Sequence, residues 1–153
     1  MTTPSPRTTE RRIQDTRDRL ASDVDAWVAT ADPASGAPGL VLLSFLWDGA
    51  TLLVSTPTAS RTGRNLASSG VASLGVGPTR DVVLLEGTVE AIPDTELPAD
   101  LGDAFAARTG FDPRAEPNEY TYFRVTPRRV QAWREADEQP GRTIMRDGRW
   151  LAG

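Results

Sequence analysis

From Asp25 to Leu151 the chain is cut into short apolar runs by dense turn signals, and this spacing is what most limits the folds open to it. Runs of that length, bounded by Gly, Pro and Asp-Gly, read as strands. The first covers Asp25–Ala31, with Trp27 and Val28, and ends in the turn Asp32-Pro-Ala-Ser-Gly-Ala-Pro38. The second, Gly39 to Trp47, is nearly all apolar, with Ser44 its polar residue. A half-exposed antiparallel strand should alternate, so this one is expected to be covered on both faces. Asp48-Gly49 marks a tight hairpin into Thr51–Ser55. Val71–Val76 alternates and Gly77–Asp81 turns the chain. Val82–Leu85 is again apolar on both faces before Glu86–Ile92 returns to partial alternation. Gly87 within that run signals a bulge or bend of the kind that closes a barrel. Tyr120–Thr126 and Arg129–Glu135 read as two more strands, and Thr143–Leu151 as a last hairpin turning at Asp147-Gly148.

Helical signals are fewer. Residues 1–6 read as unstructured, and Thr8–Ser22 as a polar helix with a thin stripe of Ile13, Leu20 and Val24. Its arginines, Arg11, Arg12, Arg17 and Arg19, read as a solvated face. After the third strand, Thr56 is the expected N-cap and Pro57 the first helical residue, with Gly70 as the left-handed stop. Pro98–Thr109 forms a further helix with Leu101 and Phe105 inward, stopped by Gly110; Phe111–Glu119 is loop. About seven strands, mostly joined by hairpins, with one helix after the third, predict a mainly β chain: a small antiparallel β-barrel with a few helices. The expected organisation is a tail and helix over 1–24 and a barrel over 25–153. Two doubly apolar strands exceed what one small barrel can cover, so a second copy is expected to pack there.

The residue inventory removes whole classes of chemistry. The chain has no Cys, no His and no Lys, so all 17 of its basic residues are Arg. Thiolate nucleophiles, Ser-His-Asp triads, lysine Schiff bases and Cys or His metal clusters are excluded. No metal site is expected, because helix N-terminus complementarity explains Asp94, Glu96, Asp100 and Asp103. If the chain is an enzyme, a bound cofactor carries the chemistry. A net charge of -4 argues against a nucleic-acid binder held by a general basic field. No run approaches the roughly 20 apolar residues of a membrane span. The N-terminal stretch lacks the apolar core of a secretory signal, so a cytoplasmic location is expected.

One segment stands out as a binding site. In Leu52-Leu-Val-Ser-Thr-Pro-Thr-Ala-Ser-Arg-Thr-Gly-Arg-Asn-Leu66 an apolar strand runs into a short helix carrying Ser60, Arg61 and Arg64 near its start. Free amides, the positive end of the helix dipole, a hydroxyl and two guanidiniums suit a phosphate-like anion. An ordinary capped helix in water is the plainer alternative. Gly75-Val-Gly77 opens like a dinucleotide fingerprint, but no strand-to-helix unit follows it.

The order of motifs resembles a known family. Trp27-Val-Ala-Thr, Gly36-Ala-Pro38, Phe45-Leu-Trp47-Asp-Gly, Leu52-Leu-Val-Ser-Thr56, Ser60-Arg-Thr-Gly-Arg-Asn-Leu66, Val71-Ala-Ser-Leu74 and Leu85-Glu-Gly-Thr-Val-Glu90 look like the split β-barrel flavin and deazaflavin oxidoreductases, relatives of pyridoxamine 5′-phosphate oxidase. Phe123-Arg-Val-Thr-Pro-Arg-Arg-Val130, Trp133-Arg and Asp147-Gly-Arg-Trp150 extend the likeness, which spans residues 25–151.

The resemblance implies a homodimer with cofactor sites between the subunits. It also implies a phosphate of FMN, or of the deazaflavin F420, against the strand-to-helix segment. Carried over by position, Ser44 lines the ring, Ser55 and Thr56 reach ribityl or phosphate oxygens, and Ser60, Arg61 and Arg64 hold the phosphate, with Asn65 a further candidate. Thr62 stands where many relatives carry Lys. The likeness is nearest to the F420-dependent branch, which implies hydride transfer between the deazaflavin and a small electrophilic organic substrate. A proton would come from Tyr120, Tyr122 or solvent, and no catalytic residue is assigned. An FMN-dependent oxidoreductase and a non-catalytic flavin- or haem-binding barrel are the alternatives, the lack of His weighing against haem. Arg80 or the N-terminal arginines are expected to extend a positive track for the acidic F420 tail.

Overall fold

Strand pairing gathers β1 (Asp25–Ala31), β2 (Pro38–Ser44), β3 (Leu46–Trp47), β4 (Leu52–Pro57), β5 (Val71–Val76), β6 (Val82–Pro93), β7 (Tyr120–Trp133), β8 (Thr143–Arg146) and β9 (Arg149–Trp150) into one antiparallel sheet. The computed structural model describes residues 4–152, and the first three residues of the expected unstructured start lie outside them. The order is β2-β1-β5-β6-β7-β4-β3. β4 pairs with the first half of β7 and β8 with its second half, so β7 is the spine of a curled split barrel. Three helices accompany it among the described residues: α1 (Thr9–Ser22), α2 (Arg61–Ser69) and α3 (Ala99–Thr109). The fold is the mainly β split barrel expected.

Two readings of glycine positions hold. Gly87 is a close-approach position, because a Cβ there would stand 2.5 Å from the Thr126 carbonyl oxygen. Gly70 and Gly110 close α2 and α3 with φ of 67° and 75°, the left-handed backbone that costs glycine nothing.

Four readings are corrected. The expected strand Gly39–Trp47 breaks at Phe45, whose side chain is fully buried and whose amide donates to the Val24 carbonyl at 2.7 Å. Nor is it covered on both faces within the chain: Leu40 and Leu42 are 64% and 54% exposed, and Leu84 of the other doubly apolar run is 37% exposed. The two strands expected over 120–135 are one, because Arg128 is extruded where the register steps from Glu86↔Arg129 to Gly87↔Pro127. A bulge there lets Pro127 sit in a strand without donating a hydrogen bond. The arginines of α1 are only in part a solvated face: Arg11 and Arg17 are exposed, but Arg12 and Arg19 are not. Arg12 is buried and donates to the carbonyls of Ala132 and Glu138 at 3.2 and 2.9 Å, while Arg19 reaches Asp81 at 2.9 Å.

Burial is divided in two. The main core runs through the barrel from Val28, Phe45 and Val54 to Phe123, Val130 and Ile144, and takes in Ile13 and Leu20 of α1. A smaller cluster under α3 joins Leu53, Ile92, Leu97, Phe105 and Tyr122, with the last two rings edge to face at 5.5 Å. No helix of the described residues is long and apolar enough to cross a membrane.

Candidate cofactor site

The strand-to-helix segment begins as β4, which pairs with the first half of β7. β4 keeps its register with β7 as far as Pro57↔Tyr120, and the Thr58 amide donates to the Glu119 carbonyl at 3.0 Å. Those ladder bonds override the helical start expected at Thr56 and Pro57. The helix starts four residues later, with Ser60 as its N-cap. The Ser60 hydroxyl accepts the Gly63 amide at 3.0 Å and donates to the Pro57 carbonyl at 2.7 Å. Gly63 is needed here, since a Cβ would lie 2.5 Å from that same carbonyl oxygen. The amides of Arg61 and Thr62 stay at the open end of the helix, where an intrahelical acceptor does not exist.

Around this end two hydroxyl pairs form, Thr56 with Ser60 and Thr58 with Thr121. Thr56 and Ser60 are 3.3 Å apart, Thr58 and Thr121 are 2.7 Å apart, and Ser55 donates to the Thr121 carbonyl at 3.2 Å. Thr58 and Thr121 were not legible as site residues. The one available signal is a polar residue at the register position opposite Thr56.

Arg61 and Arg64 are exposed and three residues apart, so they share the outer side of α2. Arg61 donates to the Pro38 carbonyl and packs along Gly39, whose missing side chain leaves a Cβ position 3.7 Å from the guanidinium. Arg64 folds back to the Ala59 carbonyl at 2.6 Å. Among the described residues neither guanidinium has a carboxylate within 4.0 Å, so both charges are uncompensated.

The other candidates point elsewhere. Thr62 is buried against the barrel, so the position lacking Lys does not face the open side of the helix. Asn65 is buried too and donates to the Thr30 hydroxyl at 3.2 Å, tying α2 to β1. Ser44 sits at the far end of β2, bonded to Asp25 at 2.7 Å. Six residues of extended chain separate it from Pro38, about 20 Å. Arg12 and Arg19 of α1 are occupied as described, and among the described residues Arg80 makes only a 3.9 Å contact, with Glu135.

Beside Pro38 and Gly39 lies the exposed face of the sheet. The register aligns Leu42, Trp27, Gly75 and Leu84 in one row, and Leu40, Ala29, Ser73 and Glu86 in the next. Trp27 is 53% exposed. Shallow cavities of about 500 and 380 Å³ lie over these rows.

No curated protein matches this chain. Solved structures match its fold. One is a protein described as an F420 reductase, 21% identical, covering 74% of this chain and 94% of its own at a TM-score of 0.62. A conserved hypothetical protein of Mycobacterium tuberculosis is 20% identical over 90% of this chain and 91% of its own, with a TM-score of 0.65. An FMN-binding protein of Nostoc punctiforme, described as related to pyridoxamine 5′-phosphate oxidase, is 17% identical over 84% of each chain at 0.54. The family model for pyridoxamine 5′-phosphate oxidase matches residues 14–134, which take in β1 through β7 and the whole strand-to-helix segment, and the chain belongs to that family.

Proposed function

We propose that this protein is an oxidoreductase that binds F420, or FMN in its place, and moves a hydride between that ring and a small electrophilic organic substrate in the cytoplasm. The observation that supports it most is the pair Arg61 and Arg64, two uncompensated cations on the open end of a capped helix. That donor set fits a phosphate: forked guanidiniums and two free amides, on a helix end that the Ser60 cap holds in place. F420 is favoured over FMN because its phosphate carries an acidic tail, which a second cation one turn on can meet. The likeness of fold to a protein described as an F420 reductase is in keeping with this.

The bound ring supplies the hydride chemistry, and the chain supplies binding, orientation and exclusion of water. Ser60, Arg61 and Arg64 hold the phosphate, Ser55 and Thr56 orient the linking chain, and Ser44 lies toward the ring end. Thr62 and Asn65 act from beneath, seating the helix on the barrel. Tyr122 is unsuited to give a proton, since its hydroxyl is buried without a partner among the described residues, whereas Tyr120 is partly exposed beside Phe111. A second copy of the chain covers Trp27, Leu40, Leu42 and Leu84 and completes the site, because an apolar face of this extent is a liability in a monomer.

Spectral and fluorescence titration with FMN and with F420 tests the reading. Tighter F420 binding, weakened at least about tenfold by Arg61→Ala, is expected. Tighter FMN binding would remove the F420 preference, and no binding of either would remove the enzyme.

A further inference from the structure

The last hairpin sets like charges against each other. Arg146 and Arg149 are direct cross-strand partners in β8 and β9. Arg128, extruded at the β7 bulge, lies at the turn between them: its carbonyl accepts the Gly148 amide at 2.8 Å, and its guanidinium is 3.0 Å from where a Gly148 Cβ would stand. Arg129, Arg142 and Arg146 share a polar groove of about 530 Å³ with Gln131 and Thr143 of the sheet and Thr9 and Glu10 of α1. All five arginines are exposed. Among the described residues no carboxylate comes within 4.0 Å of Arg128, Arg142, Arg146 or Arg149, and Arg129 has only Glu86 at 3.9 Å. Glu10 across the groove and Asp147 in the turn are the nearby acids, and neither pairs with the cluster.

Like charges directly opposed on a hairpin are destabilising, and here the hairpin cannot relax them by moving away. Ile144 and Met145 are buried, the Leu151 amide donates to the Ile144 carbonyl at 2.9 Å, and Trp150 lies under the Arg17 guanidinium at 5.0 Å. The cations are therefore held on fixed backbone in a chain whose net charge is -4. Arginine forks onto phosphate and carboxylate oxygens alike, and several such forks reward a ligand with several anionic groups over one with a single group.

We propose that this cluster binds a small oligoanion, a molecule bearing two or more phosphate or carboxylate groups within a few ångströms, at a site separate from the end of α2. The proposal does not depend on the cofactor reading. Calorimetric titration of the full-length protein with tripolyphosphate, citrate and orthophosphate at matched ionic strength tests it, using wild type, Arg61→Ala and the double variant Arg146→Gln/Arg149→Gln. Tripolyphosphate or citrate should bind at least about tenfold tighter than orthophosphate, and which of the two is tighter distinguishes a phosphate from a carboxylate ligand. The double variant should lose at least about tenfold while Arg61→Ala keeps the affinity. Without any anion the double variant should melt about 1–4 °C higher than wild type, since the repulsion is gone. Equal binding of orthophosphate, unchanged binding in the double variant, loss of binding in Arg61→Ala, or a lower melting temperature of the double variant would each overturn the proposal.

Discussion

Glu138→Gln should loosen the attachment of the N-terminal segment to the barrel, and its cost should depend on pH in a defined way. The Glu138 side chain is 4% exposed and accepts the Arg7 side chain at 2.8 and 3.0 Å, the Arg7 amide at 2.8 Å and the Arg134 amide at 2.9 Å. The Arg7 side-chain bonds, aided by these amides, outweigh burial and hold the carboxyl at about 2, well below its ordinary 4.5. A depression of that size corresponds to about 3 kcal/mol of native-state stability at neutral pH. Asp15 at 3.1 Å and Asp81 at 4.0 Å still face Arg7 in the variant, so the net loss should be about 2–3 kcal/mol. Because the folded value is the lower one, the contribution is fully present above about pH 4.5, declines as pH falls toward 2, and is absent below it. Urea unfolding of wild type and variant at pH 7, 4 and 2.5 reads this directly. A gap under about 1 kcal/mol at pH 7, or one that does not narrow with acid, would refute the reasoning.

Arg64→Ala should weaken cofactor binding in the same direction as Arg61→Ala, by about 1.5–3 kcal/mol, with little change in melting temperature; an unaltered dissociation constant would move the phosphate elsewhere. Gly63→Ala should cost about 1–3 kcal/mol by thermal unfolding and also weaken the cofactor, because the Cβ meets the Pro57 carbonyl and must displace the start of α2. Tyr122→Phe should be neutral or stabilising by up to about 1 kcal/mol, since the hydroxyl removed is buried with no partner among the described residues; a clear loss in urea unfolding would reveal one. Trp27→Glu should shift the sedimentation profile from dimer to monomer, and a wild type that sediments as a monomer would rule out the face of β1 and β2 as a subunit contact.

What the sequence determined by itself lies where the backbone demand is local. Gly70, Gly110 and the Asp147-Gly148 turn are readable because their φ values, 67°, 75° and 53°/76°, select their residues with no help from the rest of the chain. The alternation of β5, the run of short strands between turn signals and the order of motifs likewise sufficed for the barrel and its family, although nine strands form where about seven were counted. Tertiary structure decided everything that depends on a distant partner. Pairing with β7 carried β4 through Thr56 and Pro57 and moved the helix start to Ser60, although Thr-Pro also reads as a local cap. The carbonyls of Ala132 and Glu138 drew Arg12 into the protein, where its helix pattern alone placed it in water. Thr121 joined the site only through its register with Thr56. A hydrogen-bonding group takes the partner that folding brings to it, and for Thr121, Arg12 and Thr56 that partner is dozens of residues away in the chain.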